Sequence, residues 1–303
     1  MPPWVRAVGL LLAVLLLGAG CSDATAPSGQ SSGRSSGPPS GPPSGPRFER
    51  YVALGDSYSA GPLIPTTDLA GGCARSDHDY PSLVARRLHV RTFVDVTCSG
   101  ATTADVTGHQ HPLPGSRVPP QLRAVTGSTD LVTIGIGGND LDLFGTLVNT
   151  CTRLRSADPT GDPCTRRFGG RHVLSSEVRT IGARVRGALA AIRHKAPHAT
   201  VLLVGYLRLV PDRGTCAALP LAAGDYAFGR AVSSTLAASM RRAARRAGVR
   251  FVDMYAASHG HDVCSPHPWV NGAVTDRQRA LAYHPLLSGM QADARGVLSV
   301  VRR

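Results

Sequence analysis

Five short apolar runs, Tyr51–Leu54, Thr92–Val96, Leu131–Ile136, Thr200–Gly205 and Arg250–Met254, recur along the chain with long stretches between them. Two of those stretches, Ser176–His194 and Tyr226–Ala247, place apolar residues at helical spacing. Strands that alternate with helices join through crossovers. The sheet is then parallel, with helices on both faces. The expected architecture is an α/β domain of three layers, α/β/α, around a central parallel five-stranded sheet. Residues 47–303 are long enough for one large core, and no second low-complexity break divides them, so one domain is expected. Ligands bind such sheets outside the carboxyl ends of the strands. The residues that follow the apolar runs are therefore the first place to look for chemistry.

Gly55-Asp56-Ser57-Tyr58-Ser59-Ala60-Gly61 follows the first run. A serine between a strand end and a helix start points its hydroxyl and its own N–H the same way. One residue then supplies a nucleophile and an oxyanion donor, as acyl transfer requires. The same serine would also serve as a plain helix N-cap. Cys98-Ser99-Gly100-Ala101 follows the second run, and Gly100 can offer a bare N–H to a ligand. The third run leads into Gly137-Gly138-Asn139-Asp140, where the Asn139 amide is a neutral donor suited to a developing oxyanion, or a cap for the next helix. Tyr283-His284-Pro285 lies just before the last helical stretch; it holds one of eleven histidines.

In the order Ser, Gly, Asn, His, these segments resemble the SGNH (GDSL-type) hydrolase superfamily over roughly residues 48–303. The joint pattern is specific, although no single block is. The resemblance implies that Ser57 is the nucleophile, that His284 is the general base, and that the Ser57 N–H, the Gly100 N–H and the Asn139 amide form the oxyanion hole. It further implies ester hydrolysis through an acyl-Ser57 intermediate, without a metal or organic cofactor. Many members carry an aspartate three residues before the histidine, and here that position is Leu281. Any acceptor that fixes the imidazole tautomer meets the physical need. The expectation is a Ser–His dyad oriented by the Leu281 backbone carbonyl, as in a subset of secreted SGNH esterases. A carboxylate from elsewhere, Asp276 or Asp262, is the rival. Tyr58, Leu63, Ile64 and residues near Pro112–Leu113 are candidates for an acyl pocket.

The first twenty residues resemble a cleavable signal peptide: Arg6, an apolar run from Ala7 to Leu17, then Gly18-Ala19-Gly20. Cys21 follows directly, as at a bacterial lipoprotein processing site, although Gly18 replaces the usual leucine. Residues 21–46 then form a lipidated cysteine and a tether of Ser, Gly and Pro with no apolar surface to bury. An ordinary secreted protein is the alternative. Either way the chain is exported: extracellular, or anchored through Cys21 to the outer face of the membrane. Removing Cys21 from seven cysteines leaves Cys73, Cys98, Cys151, Cys164, Cys216 and Cys264, which in an exported chain suggest three disulfides. Sequence alone permits fifteen pairings. The family resemblance, together with nearest-neighbour economy, favours Cys73–Cys98, Cys151–Cys164 and Cys216–Cys264. No Cys-x-x-Cys spacing suggests zinc. The segment from Cys151 to Arg171 is expected to be a disulfide-bounded surface excursion near the substrate entrance.

The formal net charge is +13, and Lys195 is the sole lysine. That charge favours anionic surfaces, a membrane or envelope polymers. Arg241, Arg242, Arg245 and Arg246 form a basic stripe on the Tyr226–Ala247 helix, or a solvated face. Export and the absence of a recognition motif speak against nucleic acid. The expected protein is a monomeric serine esterase or lipase acting on an acyl-ester or lipid substrate. The alternatives are a phospholipase, an envelope acyltransferase or carbohydrate O-acyl esterase, and a non-catalytic binding lipoprotein.

Overall fold

In the computed structural model, which describes residues 48–169 and 171–302, five strands form one sheet. The segments expected to be the signal peptide, Cys21 and the tether lie outside the described residues. Strands β1 (Arg50–Gly55), β2 (Thr92–Asp95), β3 (Leu131–Gly135), β4 (Thr200–Val204) and β5 (Arg250–Val252) lie side by side in the order β2-β1-β3-β4-β5. Every neighbouring pair is parallel. All of β3 and nearly all of β1 and β4 are buried, whereas the edge strands β2 and β5 are half-exposed. This is why the central strands read as unbroken apolar runs: both of their faces are covered.

The connecting helices are α1 (Ser57–Ala60), α2 (Tyr80–Leu88), α3 (Arg171–Lys195), α4 (Tyr226–Ala247) and α5 (Leu287–Val301). Helix α3 packs along α4, and α2 along α5. Helix α4 buries Val232, Leu236, Met240, Ala243 and Ala247, spaced three or four apart, so a single stripe of it meets the core. It ends at Gly248 in the left-handed conformation, a common helix stop.

The chain steps from β1 to β2 on one side and later to β3 on the other. The crevice outside the carboxyl ends of β1 and β3 is therefore the switch point, where doubly wound sheets bind ligands. Disulfides join Cys73 to Cys98, Cys151 to Cys164 and Cys216 to Cys264, with Cα separations of 4.2, 5.1 and 5.7 Å. The first lies against the switch point, since the Cys98 N–H donates to the Gly55 carbonyl over 3.0 Å. The segment after Cys151 is more ordered than a bare excursion. It contains short helices Cys151–Leu154 and Pro163–Arg167, joined by the Cys151–Cys164 disulfide, and Asp225 ties down the second by accepting the Cys164 and Thr165 N–H groups.

Candidate active site

Strand β1 ends at Gly55 with φ +148°, and a Cβ there would lie 2.4 Å from Ser59 Oγ and 2.7 Å from the Gly135 carbonyl oxygen. Only glycine fits that approach. Asp56 then caps α1 by accepting the Tyr58 N–H over 2.9 Å. Ser57 opens the helix and is 7% exposed. A first-turn N–H has no partner inside its own helix. The Ser57 N–H makes no hydrogen bond to any described residue.

His284 reaches this serine from the far end of the chain. Its Nε2 lies 2.8 Å from Ser57 Oγ, and its Nδ1 lies 2.7 Å from the Ala282 carbonyl oxygen. A carbonyl only accepts, so Nδ1 carries the proton and Nε2 presents its lone pair to the serine hydroxyl. The orienting carbonyl is thus that of Ala282, not of Leu281. The backbone turns at Tyr283, in the left-handed region with φ +60°. The turn leaves the Leu281 carbonyl to accept the His284 backbone N–H at 3.2 Å and the Asn271 side-chain amide at 3.2 Å. Neither rival carboxylate serves the imidazole: Asp262 accepts the Cys264 N–H, and Asp276 the Gln278 N–H. The strained turn is clamped by three hydrogen bonds. The Tyr58 hydroxyl donates to the Tyr283 carbonyl (2.6 Å), the Tyr283 N–H donates to Gly272 (3.0 Å), and the Asn271 N–H donates to the His284 carbonyl (2.8 Å).

Asn139 stands at the end of the glycine turn after β3 and donates one amide hydrogen to the Ala101 carbonyl over 2.9 Å. Its second hydrogen remains available. The bond ties Asn139 to the loop that carries Gly100. Gly100 is exposed, and its N–H makes no hydrogen bond to any described residue. Asp140 reinforces the link by accepting the Thr103 N–H at 2.9 Å and the Thr103 hydroxyl at 2.5 Å.

Ser57, Asn139 and His284 line one cavity of about 230 Å³ together with Tyr58, Phe144, Val148 and Leu209. Gly100 is not on its wall. Of the residues expected to form an acyl pocket, Tyr58 is there; Ile64 is fully buried in the core, and Leu113 is exposed and packs over Gly72. The wall that sequence reasoning missed, Phe144 to Asn149, comes from a helical segment with a wide π turn over Thr146–Thr150. Such turns cluster at functional sites, but only a backbone reveals them. Asp56 and Tyr206 were missed as well. Asp56 is 1% exposed, accepts the Tyr206 hydroxyl, and sits within the very motif that singled out Ser57.

Burial pushes the Asp56 carboxyl up to about 7, against the pull of its hydrogen bonds from Tyr206 and Tyr58. Burial also lowers the His284 imidazole below its ordinary value, partly offset by the Ala282 carbonyl. Both directions follow from the cost of a charge removed from water. Among the described residues, no group of three or more His, Cys, Asp or Glu side chains is placed to hold a metal ion.

Residues 53–292 match the model of the GDSL-like lipase/acylhydrolase family. Lipase 2 of Streptomyces coelicolor is 42% identical over 219 residues, 71% of this chain and 72% of that protein. A lipase of Streptomyces rimosus is 32% identical over 83% of this chain and 85% of its own length. The crystal structure of phospholipase A1 from Streptomyces albidoflavus superposes with a TM-score of 0.70 at 30% identity, covering 83% of this chain and 99% of that one.

Proposed function

The chain belongs to the GDSL-like lipase/acylhydrolase family and is an ester hydrolase, and on that premise we propose that Ser57 and His284 perform the chemistry as a dyad. The observation that carries this reading is the 2.8 Å approach of Nε2 to Oγ, with Nδ1 held by a carbonyl. Ser57 Oγ attacks the ester carbonyl carbon while its proton passes to Nε2. The oxyanion is met by the Ser57 N–H, the Asn139 amide and the Gly100 N–H. The C–O bond to the alcohol then breaks, and the alcohol leaves with the proton from Nε2. Water repeats the sequence on the acyl-enzyme and restores Ser57.

The cavity is smaller than the roughly 300–1,000 Å³ of drug-sized ligand sites. With Phe144, Val148 and Leu209 on its wall, it suits one short acyl chain of an ester whose remainder stays outside. Lipid esters fit the relatives' names, lipase and phospholipase A1. Three disulfides fit an exported protein, and the solved lipase of S. rimosus, 31% identical with a TM-score of 0.69, is described as extracellular. We propose in addition that residues 1–20 are a signal peptide, that Cys21 is lipidated and that residues 21–46 are a tether. The net charge of +13 would hold the domain near anionic surfaces. A panel of p-nitrophenyl esters of increasing chain length, with phospholipid vesicles alongside and Ser57→Ala as control, tests the reading. Activity on short chains that Ser57→Ala abolishes supports it. Turnover retained in Ser57→Ala would end it.

A further inference from the structure

Tyr206, just past the end of β4, stands between two turns that the reaction needs at a fixed separation. Its hydroxyl donates to the Asp56 carboxylate and accepts the Gly138 N–H at 2.7 Å. Asp56 directly precedes Ser57, and Gly138 directly precedes Asn139. All three groups are buried, Tyr206 at 6% exposure and Asp56 at 1%. The ring is gripped edge-on by Tyr58 and Phe144, at centroid distances of 5.2 and 5.1 Å. Gly138 must lack a side chain, because a Cβ there would lie 2.4 Å from Phe144 and 3.0 Å from the Tyr206 ring.

We propose that Asp56 and Tyr206 form a strut that sets the distance between the Ser57 N–H and the Asn139 amide, making Tyr206 a positioning residue for the oxyanion hole. The inference rests on the reading of Ser57 and Asn139 given above. A carboxylate is the apt end for the strut: one oxygen caps α1 while the other takes the phenol, so the two bonds lock the nucleophile turn against the oxyanion turn. The phenol relays that anchor to a backbone N–H that no carboxylate reaches. Burial favours a neutral Asp56, and the donors from Tyr58 and Tyr206 pull toward the carboxylate form that the strut uses.

The Tyr206→Phe variant keeps the ring and its packing but leaves one Asp56 oxygen and the Gly138 N–H unpaired. Misplacement on the scale of an ångström costs up to about 10²-fold in rate. Tyr206→Phe should therefore lower kcat by about 10- to 100-fold with KM within about twofold. Affinity for an alkylboronic acid, which forms a tetrahedral adduct on serine, should fall by a similar factor while inhibition by the product carboxylate stays unchanged. Asp56→Asn still caps Tyr58 through its carbonyl oxygen but turns a donor toward the phenol, so it should lose a similar factor. The double variant should be little worse than either single one, because both remove one strut. Tyr51→Phe is the control for plain stability. It deletes another buried tyrosine hydrogen bond, 2.6 Å to Thr133, near the opposite end of β1, and should leave kcat within about twofold. If Tyr206→Phe keeps full kcat while Asn139→Ala does not, or if the Asp56 and Tyr206 losses multiply, the strut is wrong and the dyad reading stands. If Ser57→Ala stays active, the underlying reading fails instead.

Discussion

The imidazole of His284 is held by a peptide carbonyl rather than a carboxylate, and the difference is electrostatic. A carbonyl fixes the tautomer as well as a carboxylate does. It does not supply the full negative charge that would stabilise the imidazolium. Asp262→Asn and Asp276→Asn should therefore keep most of the activity, whereas loss of a triad aspartate costs about 10⁴ in kcat in the serine-protease precedent. A loss of that size in either variant, in folded protein, would show that a carboxylate reaches His284 during turnover. Ser57→Ala, His284→Ala and their double variant should share one residual rate, as the proposed dyad requires. Asn139→Ala should lower kcat by about 10²–10³ with little change in KM. The pH profile follows from burial. As the proposed base, His284 works as neutral imidazole, and burial lowers its pKa, so kcat/KM should rise with pH through a point below the ordinary 6.5. Recording the profile in Asp56→Asn removes that carboxyl's own titration near 7. A limb persisting above 7 in that variant would contradict the lowered imidazole.

Among the elements, the loop from Leu281 to Pro285 does the most with the fewest residues. Placing a non-glycine residue in the left-handed region, as at Tyr283, costs on the order of 1 kcal/mol or more, and surrounding bonds must hold it. Tyr58 of α1 supplies one of those bonds, so the helix that carries Ser57 also steadies the loop that carries His284. The Cys73–Cys98 disulfide performs a comparable service for the loop bearing Gly100. It closes a span of 25 residues, and removing both cysteines should lower stability by about 3.5 kcal/mol in the chain-entropy account. Denaturant titration of Cys73→Ala/Cys98→Ala against the parent measures this. A loss below about 1 kcal/mol would indicate that packing alone holds the loop.

Across the whole molecule, buried carboxylates set how stability responds to pH. Burial raises the pKa of Asp56, Asp79 and Asp293 above the carboxylate norm, with nearby Asp95 adding to the effect at Asp79. At Asp56, between about pH 4 and pH 7, the folded state therefore holds a proton that the unfolded chain has released. By linkage, the contribution of this carboxyl to stability falls as pH rises through that window. Urea titrations at pH 5 and pH 7 should give a smaller drop for Asp56→Asn than for the parent, since an amide has nothing to titrate. An unchanged drop would mean that the carboxyl at position 56 titrates alike in both states.

The order of strands and helices was legible because it is written locally, in apolar runs bounded by glycine and in helical spacing. Ser57 and Asn139 stood out as candidates because each follows an apolar run, and His284 only through the joint order Ser, Gly, Asn, His. What remained hidden depends on where backbone atoms point. Whether Leu281 or Ala282 offers its carbonyl turns on the φ of Tyr283, which no side-chain pattern encodes. Phe144, Val148 and Leu209 meet at the cavity only because a π turn after β3 and the chain beyond β4 converge on one sheet edge. Tyr206 looks like any aromatic at a strand end until the fold brings Asp56, 150 positions away, within reach of its hydroxyl. Local composition determined the elements and the chemical identities. The long-range contacts, formed between segments whose sequences carry no record of each other, decided which of those groups touch.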